Sequence, residues 1–140
     1  MIFQTESDLA AFAESLGKSL ELDPDHALVL ELVGDVGVGK TTFTRALAKG
    51  LGVREPVTSP SFTISKRYTF PGGELVHYDF YRLSDPGLMS SDLAEALTEK
   101  NTVVVLEWSD SVKNLLPASR LKLTFRVRSD GSRELLKECL

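Results

Sequence analysis

The feature that most constrains the fold is the glycine-rich run Gly34-Asp-Val-Gly-Val-Gly-Lys-Thr41. Its glycines allow successive backbone N–H groups to curl around phosphate oxygens without a side-chain clash. Residues 27–33 before the run are almost all apolar, as in a strand covered on both faces. Residues 41–49 after it have the apolar spacing of an amphipathic helix. The order of strand, loop and helix therefore predicts a phosphate-binding loop (P-loop) in an α/β fold.

Each fixed position of the loop predicts a separate contact with a nucleotide. We expect Lys40 to reach the β- and γ-phosphates and the Thr41 hydroxyl to ligate Mg²⁺, while the helix start directs its positive end at the anion. The sequence thus predicts ATP or ADP with Mg²⁺ as cofactors. The predicted cofactor-binding residues of the loop and the first helical turn are Gly34, Asp35, Val36, Gly37, Val38, Gly39, Lys40, Thr41 and Thr42.

Two carboxylates follow strand-like segments. Glu107 ends the apolar run 103–106, where P-loop proteins carry an acidic residue that holds Mg²⁺ or its water shell. Asp79 lies near the end of segment 74–80, with His77 on the same face, and a carboxylate there is able to orient an attacking water. We predict Thr41 and Glu107 as metal ligands and Lys40, Asp79 and Glu107 as catalytic residues. Strand-end carboxylates without any chemistry are the alternative for both acids.

The remaining pattern predicts one P-loop domain over residues 1–140, a mixed central sheet flanked by helices. We expect strand 102–106 to lie parallel to the first strand and segment 120–128, which alternates strictly, to be an antiparallel strand with a solvated face. Gly50 and Gly52 are interpreted as the end of the loop's helix. The other expected elements are a helix at 6–20, β-segments at 61–68 and 74–80 joined by a turn at 71–73, a helix from 85 to about 100, and a helix or strand after a turn at 129–132.

Composition excludes several classes of protein. A net charge of −4 and a pI near 5.2 give no global electrostatic reason for direct nucleic-acid binding. Cys139 is the only cysteine, so neither an internal disulfide nor a multi-cysteine zinc site is available. We expect a cytoplasmic protein without membrane association, because no signal-peptide pattern and no apolar run of about 18 residues is present.

Several separated segments, taken together, resemble the TsaE family, the small bacterial ATPases of tRNA threonylcarbamoyladenosine biosynthesis. The P-loop alone is generic, whereas the combination with the other segments, in the family's order, is specific. The segments are the loop 34–42, Val-Thr-Ser-Pro-Ser-Phe-Thr at 57–63, His-Tyr-Asp-Phe-Tyr-Arg-Leu at 77–83 with Asp85-Pro86, and Leu-Glu-Trp at 106–108.

The resemblance implies an activity and partners. It implies that the chain hydrolyses ATP, weakly alone and faster with partners, to support the TsaB and TsaD proteins. Those proteins modify adenosine 37 of tRNAs that read codons beginning with A, so that tRNA contact would be indirect. The resemblance also implies that Asp79 is needed for hydrolysis, that segments 58–63 and 81–83 act as switches, and that Arg133 lies near the nucleotide.

Three other functions also use a P-loop. A GTPase would need an Asn-Lys-x-Asp element and an Asp-x-x-Gly switch after a strand, and neither stands in a usable place. A small-molecule kinase would need an arginine-bearing lid and an acceptor pocket. A nucleotide-dependent assembly module, whose docking rather than turnover is the function, requires only the P-loop. The kinase and the assembly module stay open as alternatives.

Overall fold

The computed structural model describes residues 1–58, 60, 65–81 and 87–140. Within these residues the strands form one seven-stranded sheet in the order β1-β7-β6-β2-β5-β4-β3. The elements in chain order are β1 (Ile2–Phe3), α1 (Glu6–Ser19), β2 (Leu28–Val33), α2 (Lys40–Leu51), β3 (Ser65–Phe70), β4 (Gly73–Asp79), α3 (Leu88–Ala96), β5 (Thr102–Glu107), a 3₁₀ segment (Ser109–Leu115), β6 (Leu121–Val127) and β7 (Arg133–Cys139). The predicted mixed sheet flanked by helices is confirmed.

The centre of the sheet is parallel and its edges are antiparallel. β2 pairs in parallel with both β5 and β6, and β5 pairs in parallel with β4. β3, β7 and β1 pair antiparallel with their neighbours at the two edges. The predicted parallel pairing of the two apolar strands is therefore confirmed. Because parallel strands end at the same edge, the residues that follow β2, β4 and β5 meet there.

Alternation along the strands divides the core between two faces. Leu30, Leu75 and Val105 point to the face covered by α1 and α2, and Val76 and Val104 point to the face covered by α3. Both faces of β5 are buried, as its continuous apolar run predicts. Among the helices in the described ranges, none combines the length and apolarity that crossing a bilayer requires.

Helices α1 and α2 approach each other at glycines. A Cβ atom built on Gly50 would lie 2.1 Å from the carbonyl oxygen of Glu14, and one built on Gly17 would lie 2.4 Å from that of Leu47. Gly52 ends α2 in a left-handed conformation, as expected. The interpretation of Gly50 as part of that helix end is wrong, because Gly50 lies inside α2, where it allows the close contact with α1.

The expectation for β6 is only half right. Leu123 and Phe125 are buried and Arg126 is exposed, as the alternation predicts, although Val127 on the apolar side is also exposed. β6 is antiparallel only to β7 and is parallel to β2. The expected antiparallel pairing is thus confirmed on one side, whereas the parallel pairing with β2 was not predicted. Alternation indicates which side chains are buried but not the direction of the neighbouring strand.

Several element boundaries differ from expectation. The β3–β4 hairpin turns at Pro71 and Gly72, and the expected strand start at residues 61–64 lies outside the described residues. Helix α3 spans Leu88–Ala96, within the expected 85–100, and the proposed start at Asp85-Pro86 also lies outside them. The final segment is a strand, and the two-residue strand β1 was not anticipated.

A buried ionic cluster joins three elements behind the P-loop. Glu31, 1% exposed, lies in the middle of β2 and accepts hydrogen bonds from Ser109 Oγ at 2.6 Å and from Arg120 Nε at 3.0 Å. Burial by itself would raise the pKa of the Glu31 carboxyl, but these two hydrogen bonds and the charges of Arg120 and Lys122 together lower it. The cluster ties the segment after Glu107 to the central strand.

Replacing Arg120 by methionine should reduce the free energy of unfolding by about 3–5 kcal/mol at pH 7, because it leaves the buried carboxylate without its cation. Since the folded-state pKa of Glu31 is lowered, its contribution is complete above the ordinary value of about 4.3 and is lost as pH falls through the folded-state value. The deficit of the variant should therefore shrink in acid. Denaturant unfolding at a series of pH values measures it.

Arg126→Met is the matched control, because Arg126 on β6 is exposed and its loss should change stability by no more than about 0.5 kcal/mol. Equal losses in the two variants would contradict a special role for the buried cluster.

Candidate functional site

The P-loop connects the end of β2 to the start of α2 through backbone that only glycine adopts easily. Gly39 immediately precedes α2 with φ +109°, and a Cβ atom built on it would lie 2.9 Å from Leu9 Cδ2. Among the described residues no side chain caps this helix start, and its first turn contains no acidic residue. The amides at the start of α2 therefore have no side-chain acceptor among the described residues, which is the arrangement that an anion-binding helix start requires.

Lys40 brings a buried cation to this loop. Its side chain is 5% exposed, and Nζ donates to the carbonyl oxygen of Gly34 at 2.6 Å. The same nitrogen lies 3.8 Å from Glu107 Oε1 and 4.1 Å from the centre of the Trp108 ring. Burial lowers the pKa of Lys40, and the nearby carboxylates, Glu107 foremost, oppose that shift. The ammonium group is thus held at the carboxyl edge of the sheet.

The two predicted carboxylates stand side by side. Asp79 and Glu107 are register partners at the ends of β4 and β5, and Glu107 is 5% exposed. Glu107 Oε2 lies 2.7 Å from His77 Nε2, whereas Asp79 Oδ1 accepts the backbone N–H of Tyr81 at 3.0 Å. Burial raises the pKa of Asp79, and the charge of Glu107 raises it further. The hydrogen bond from the Tyr81 amide opposes this rise. The pair forms an acidic wall opposite the loop.

These groups line one pocket of 380 Å³. It is lined by Glu6, Val36, Gly37, Gly39, Lys40, Thr41, Thr42, Asp79, Tyr81, Glu107 and Trp108. All three predicted catalytic residues and both predicted metal ligands are among them. A larger groove of 800 Å³ between α1, α2 and residues 53–57 shares Glu6 and Thr42 with this pocket.

Four other predicted contacts lie beside the pocket rather than in its wall. The Gly34 carbonyl is turned to Lys40, and Asp35 is exposed. The Val38 side chain is 7% exposed and packs in the core. A ligand could therefore contact Val38 only through its backbone. Arg133 begins β7 behind the loop, with Nε 3.9 Å from a Cβ atom built on Gly39.

The oxygen groups of the pocket suit Mg²⁺. The exposed Thr41 supplies a hydroxyl, and Glu107 and Asp79 supply carboxylates. Mg²⁺ prefers oxygen ligands and is usually held by one or two carboxylates together with substrate phosphates. In the part of the chain that the structure describes, no group of three or more His, Cys, Asp and Glu side chains could hold a metal ion. One hydroxyl and two carboxylates are thus the oxygen donors considered for Mg²⁺ in this pocket.

The sequence pattern did not identify every residue of the pocket wall. Glu6 comes from the first turn of α1, where its carboxylate accepts the Thr42 hydroxyl, and only the packing of α1 on α2 reveals this. Trp108 follows Glu107, and the sequence alone does not distinguish a place beside the site from an anchoring role in the core. It is half-buried with φ +55° and lies over Lys40 and 4.9 Å from the Tyr81 ring, so it packs beside the site.

The segments expected to act as switches are only partly described. The Thr58 amide donates to the Tyr68 hydroxyl at 3.2 Å, and Lys66 Nζ donates to the Thr58 hydroxyl, which fixes Thr58 against β3. Tyr81 lines the pocket. Ser59, residues 61–64, Arg82 and Leu83 lie outside the described residues, so that their switching stays a prediction.

The fold is shared with a solved structure. A crystal structure of YdiB from Bacillus subtilis superposes with a TM-score of 0.73 at 31% sequence identity, covering 96% of this chain and 80% of that chain. The superposition thus covers nearly the whole of this chain. The likeness is therefore one of the overall fold.

Sequence comparison agrees with the structural match. The family model for threonylcarbamoyl adenosine biosynthesis protein TsaE matches residues 3–135. Proteins named tRNA threonylcarbamoyladenosine biosynthesis protein TsaE are 40% identical over 108 residues in Bacillus subtilis, 35% over 120 in Haemophilus influenzae and 33% over 136 in Treponema pallidum. The alignments cover 76%, 86% and 96% of this chain and 66%, 74% and 96% of those relatives. This chain belongs to the TsaE family of tRNA threonylcarbamoyladenosine biosynthesis.

Proposed function

We propose that this chain is an ATPase that binds ATP with Mg²⁺ in the P-loop pocket and hydrolyses it. Its turnover supports the TsaB and TsaD proteins in forming threonylcarbamoyladenosine at position 37 of tRNAs that read codons beginning with A. In this proposal residues 1–140 act as one P-loop domain in the cytoplasm, and tRNA is reached indirectly through the complex. Family membership supports the pathway, and the geometry of the pocket supports the chemistry.

The observation that carries the proposal is the convergence of Lys40, Asp79 and Glu107 on one pocket at the start of α2. A bound triphosphate would place its β- and γ-phosphates against the loop amides and Lys40. Thr41 and Glu107 would hold Mg²⁺, which neutralises charge on those phosphates when bound. The adjoining groove, which shares Glu6 and Thr42 with the pocket, has room for the nucleoside.

We assign the two carboxylates different tasks. Glu107 already contacts His77 through one oxygen and faces Lys40 with the other, which suits a fixed ligand. Asp79 is half-buried and has a raised pKa, which suits a group that accepts a proton from an attacking water. Asp79 therefore orients the water and takes its proton, while Lys40 stabilises the charge that develops on the phosphoryl group.

A nucleotide-dependent assembly module is the second candidate. Val36, on the P-loop itself, is 69% exposed, and Tyr81 at the pocket wall is also exposed. A partner docked on these residues would sense the nucleotide directly. The kinase alternative gains no such support from the described residues. Unchanged docking of partners with ATP, with ADP and without nucleotide would rule out the module.

Replacing Lys40 by alanine should weaken ATP binding at least about tenfold, or about 1.4 kcal/mol, because the phosphates lose their buried cation. Trp108 is the only tryptophan and lies 4.1 Å from Lys40 Nζ, so its fluorescence reports nucleotide binding, with calorimetry as the second measurement. Lys18→Ala on α1 is the control, since that lysine is exposed and forms only a long ion pair with Glu14. Equal affinities in the two variants would remove Lys40 from the phosphate site.

Replacing Asp79 by asparagine should reduce partner-stimulated ATP hydrolysis at least about 100-fold and leave ATP affinity within about threefold. Phosphate release is measured with and without the TsaB and TsaD proteins. Because burial raises the pKa of Asp79, the ionised form opposes folding above that pKa, and the uncharged variant should be no less stable than the wild type at pH 7. Wild-type turnover in a stably folded Asp79→Asn variant would refute the assigned role.

A further inference from the structure

We propose that His77 is a positioning residue: its Nε2–H group holds the Glu107 carboxylate so that Oε1 stays directed toward Lys40 and the phosphate pocket. This role rests on the proposed function, because it concerns a buried hydrogen bond to Glu107, the carboxylate proposed to bind the metal. His77 itself would touch neither the nucleotide nor the ion.

The sheet places the imidazole directly below the carboxylate. His77 on β4 is in register with Val105 on β5, two residues before the pair formed by Asp79 and Glu107. Side chains two residues apart on a strand share a face, so His77 lies under the acidic wall on the side of α1 and α2. It is 1% exposed, and its Nε2 reaches Glu107 Oε2 at 2.7 Å. The contact is thus protected from water.

The other ring nitrogen indicates which tautomer is present. His77 Nδ1 is buried and has no hydrogen-bond partner among the described residues. A proton on Nδ1 would be a buried donor without an acceptor, which costs more than an unfilled acceptor lone pair. The hydrogen-bond arrangement therefore assigns the proton to Nε2, where it is donated to the carboxylate.

This hydrogen bond determines where the second carboxylate oxygen points. With Oε2 held by His77, Oε1 lies 3.8 Å from Lys40 Nζ, beyond hydrogen-bond distance. The terminal torsion of a glutamate has a broad energy minimum, so a carboxylate released by His77 is free to turn and close onto the ammonium group. Closure would withdraw Lys40 from the phosphates and Glu107 from the metal. His77 keeps the two charges close but separate.

The test compares three variants that distinguish the hydrogen bond from His77 to Glu107 from the packing of the His77 side chain in the core. Gln can offer an N–H as many bonds from its Cα as Nε2 of His, so His77→Gln retains a donor. His77→Leu keeps the bulk and removes the donor. Val76→Ala is the stability control, because Val76 is fully buried in the same strand but points to the opposite face. Each protein is titrated with MgCl₂ at a fixed ADP concentration by calorimetry, and thermal unfolding is recorded in parallel.

The Leu variant should require at least about tenfold more Mg²⁺ for half-maximal binding, in the range typical of lost support for a ligating side chain. The Gln variant should stay within about threefold of the wild type. Val76→Ala should lower the unfolding temperature without changing the Mg²⁺ requirement. A Leu variant with the wild-type Mg²⁺ requirement would overturn the proposal.

A second measurement does not depend on nucleotide. The ¹⁵N spectrum of the histidine rings in the free protein should show the Nε2–H tautomer for His77, with the exposed His26 as internal reference. An Nδ1–H tautomer would overturn the inference whatever the nucleotide does. Absence of Mg²⁺-dependent binding in the wild type would instead overturn the proposed function, and the ring spectrum would still decide the role of His77.

Discussion

The buried ammonium group of Lys40 is the constraint on which the site depends. A cation that is 5% exposed requires compensation, and the Gly34 carbonyl, the Glu107 carboxylate and the Trp108 ring supply it from three directions. Gly34 begins the loop after β2, whereas Glu107 ends β5 and Trp108 follows it. The charge therefore links the P-loop to the carboxyl edge of the sheet. A phosphate entering the pocket would compete for a cation that is already in place.

Support for this arrangement comes from polar groups inside the sheet rather than from the pocket wall. His77 contacts Glu107 from one face, and Glu31 holds Ser109, two residues after Glu107, from the central strand. His77 and Glu31 are each flanked on their strand by two fully buried apolar or aromatic residues. Buried polar groups of this kind fix geometry, because any departure from it leaves a donor or an acceptor without a partner.

The loop and the two carboxylates were predictable because their signals are local. The spacing of Gly34, Gly39 and Lys40 is a fixed pattern, and Asp79 and Glu107 follow recognisable strands. Glu6 was not predictable, since its contact with Thr42 depends on how α1 packs on α2. The parallel pairing of β6 and the place of Gly50 inside α2 were missed for a related reason. Apolar alternation and glycine content are properties of a single segment. The relative direction of two strands and the contact between two helices depend on both partners, so that neither segment alone reveals them.

In the proposed function, the loop amides, Lys40 and the oxygen groups of Thr41 and Glu107 together form a site for a triphosphate with its divalent ion. The decisive experiment is a calorimetric titration of ATP into the wild-type protein, once with Mg²⁺ and once with excess chelator. We expect saturable binding with Mg²⁺ and an affinity at least about tenfold weaker in chelator, or about 1.4 kcal/mol. No binding of ATP in either buffer, by a protein that unfolds cooperatively, would contradict it.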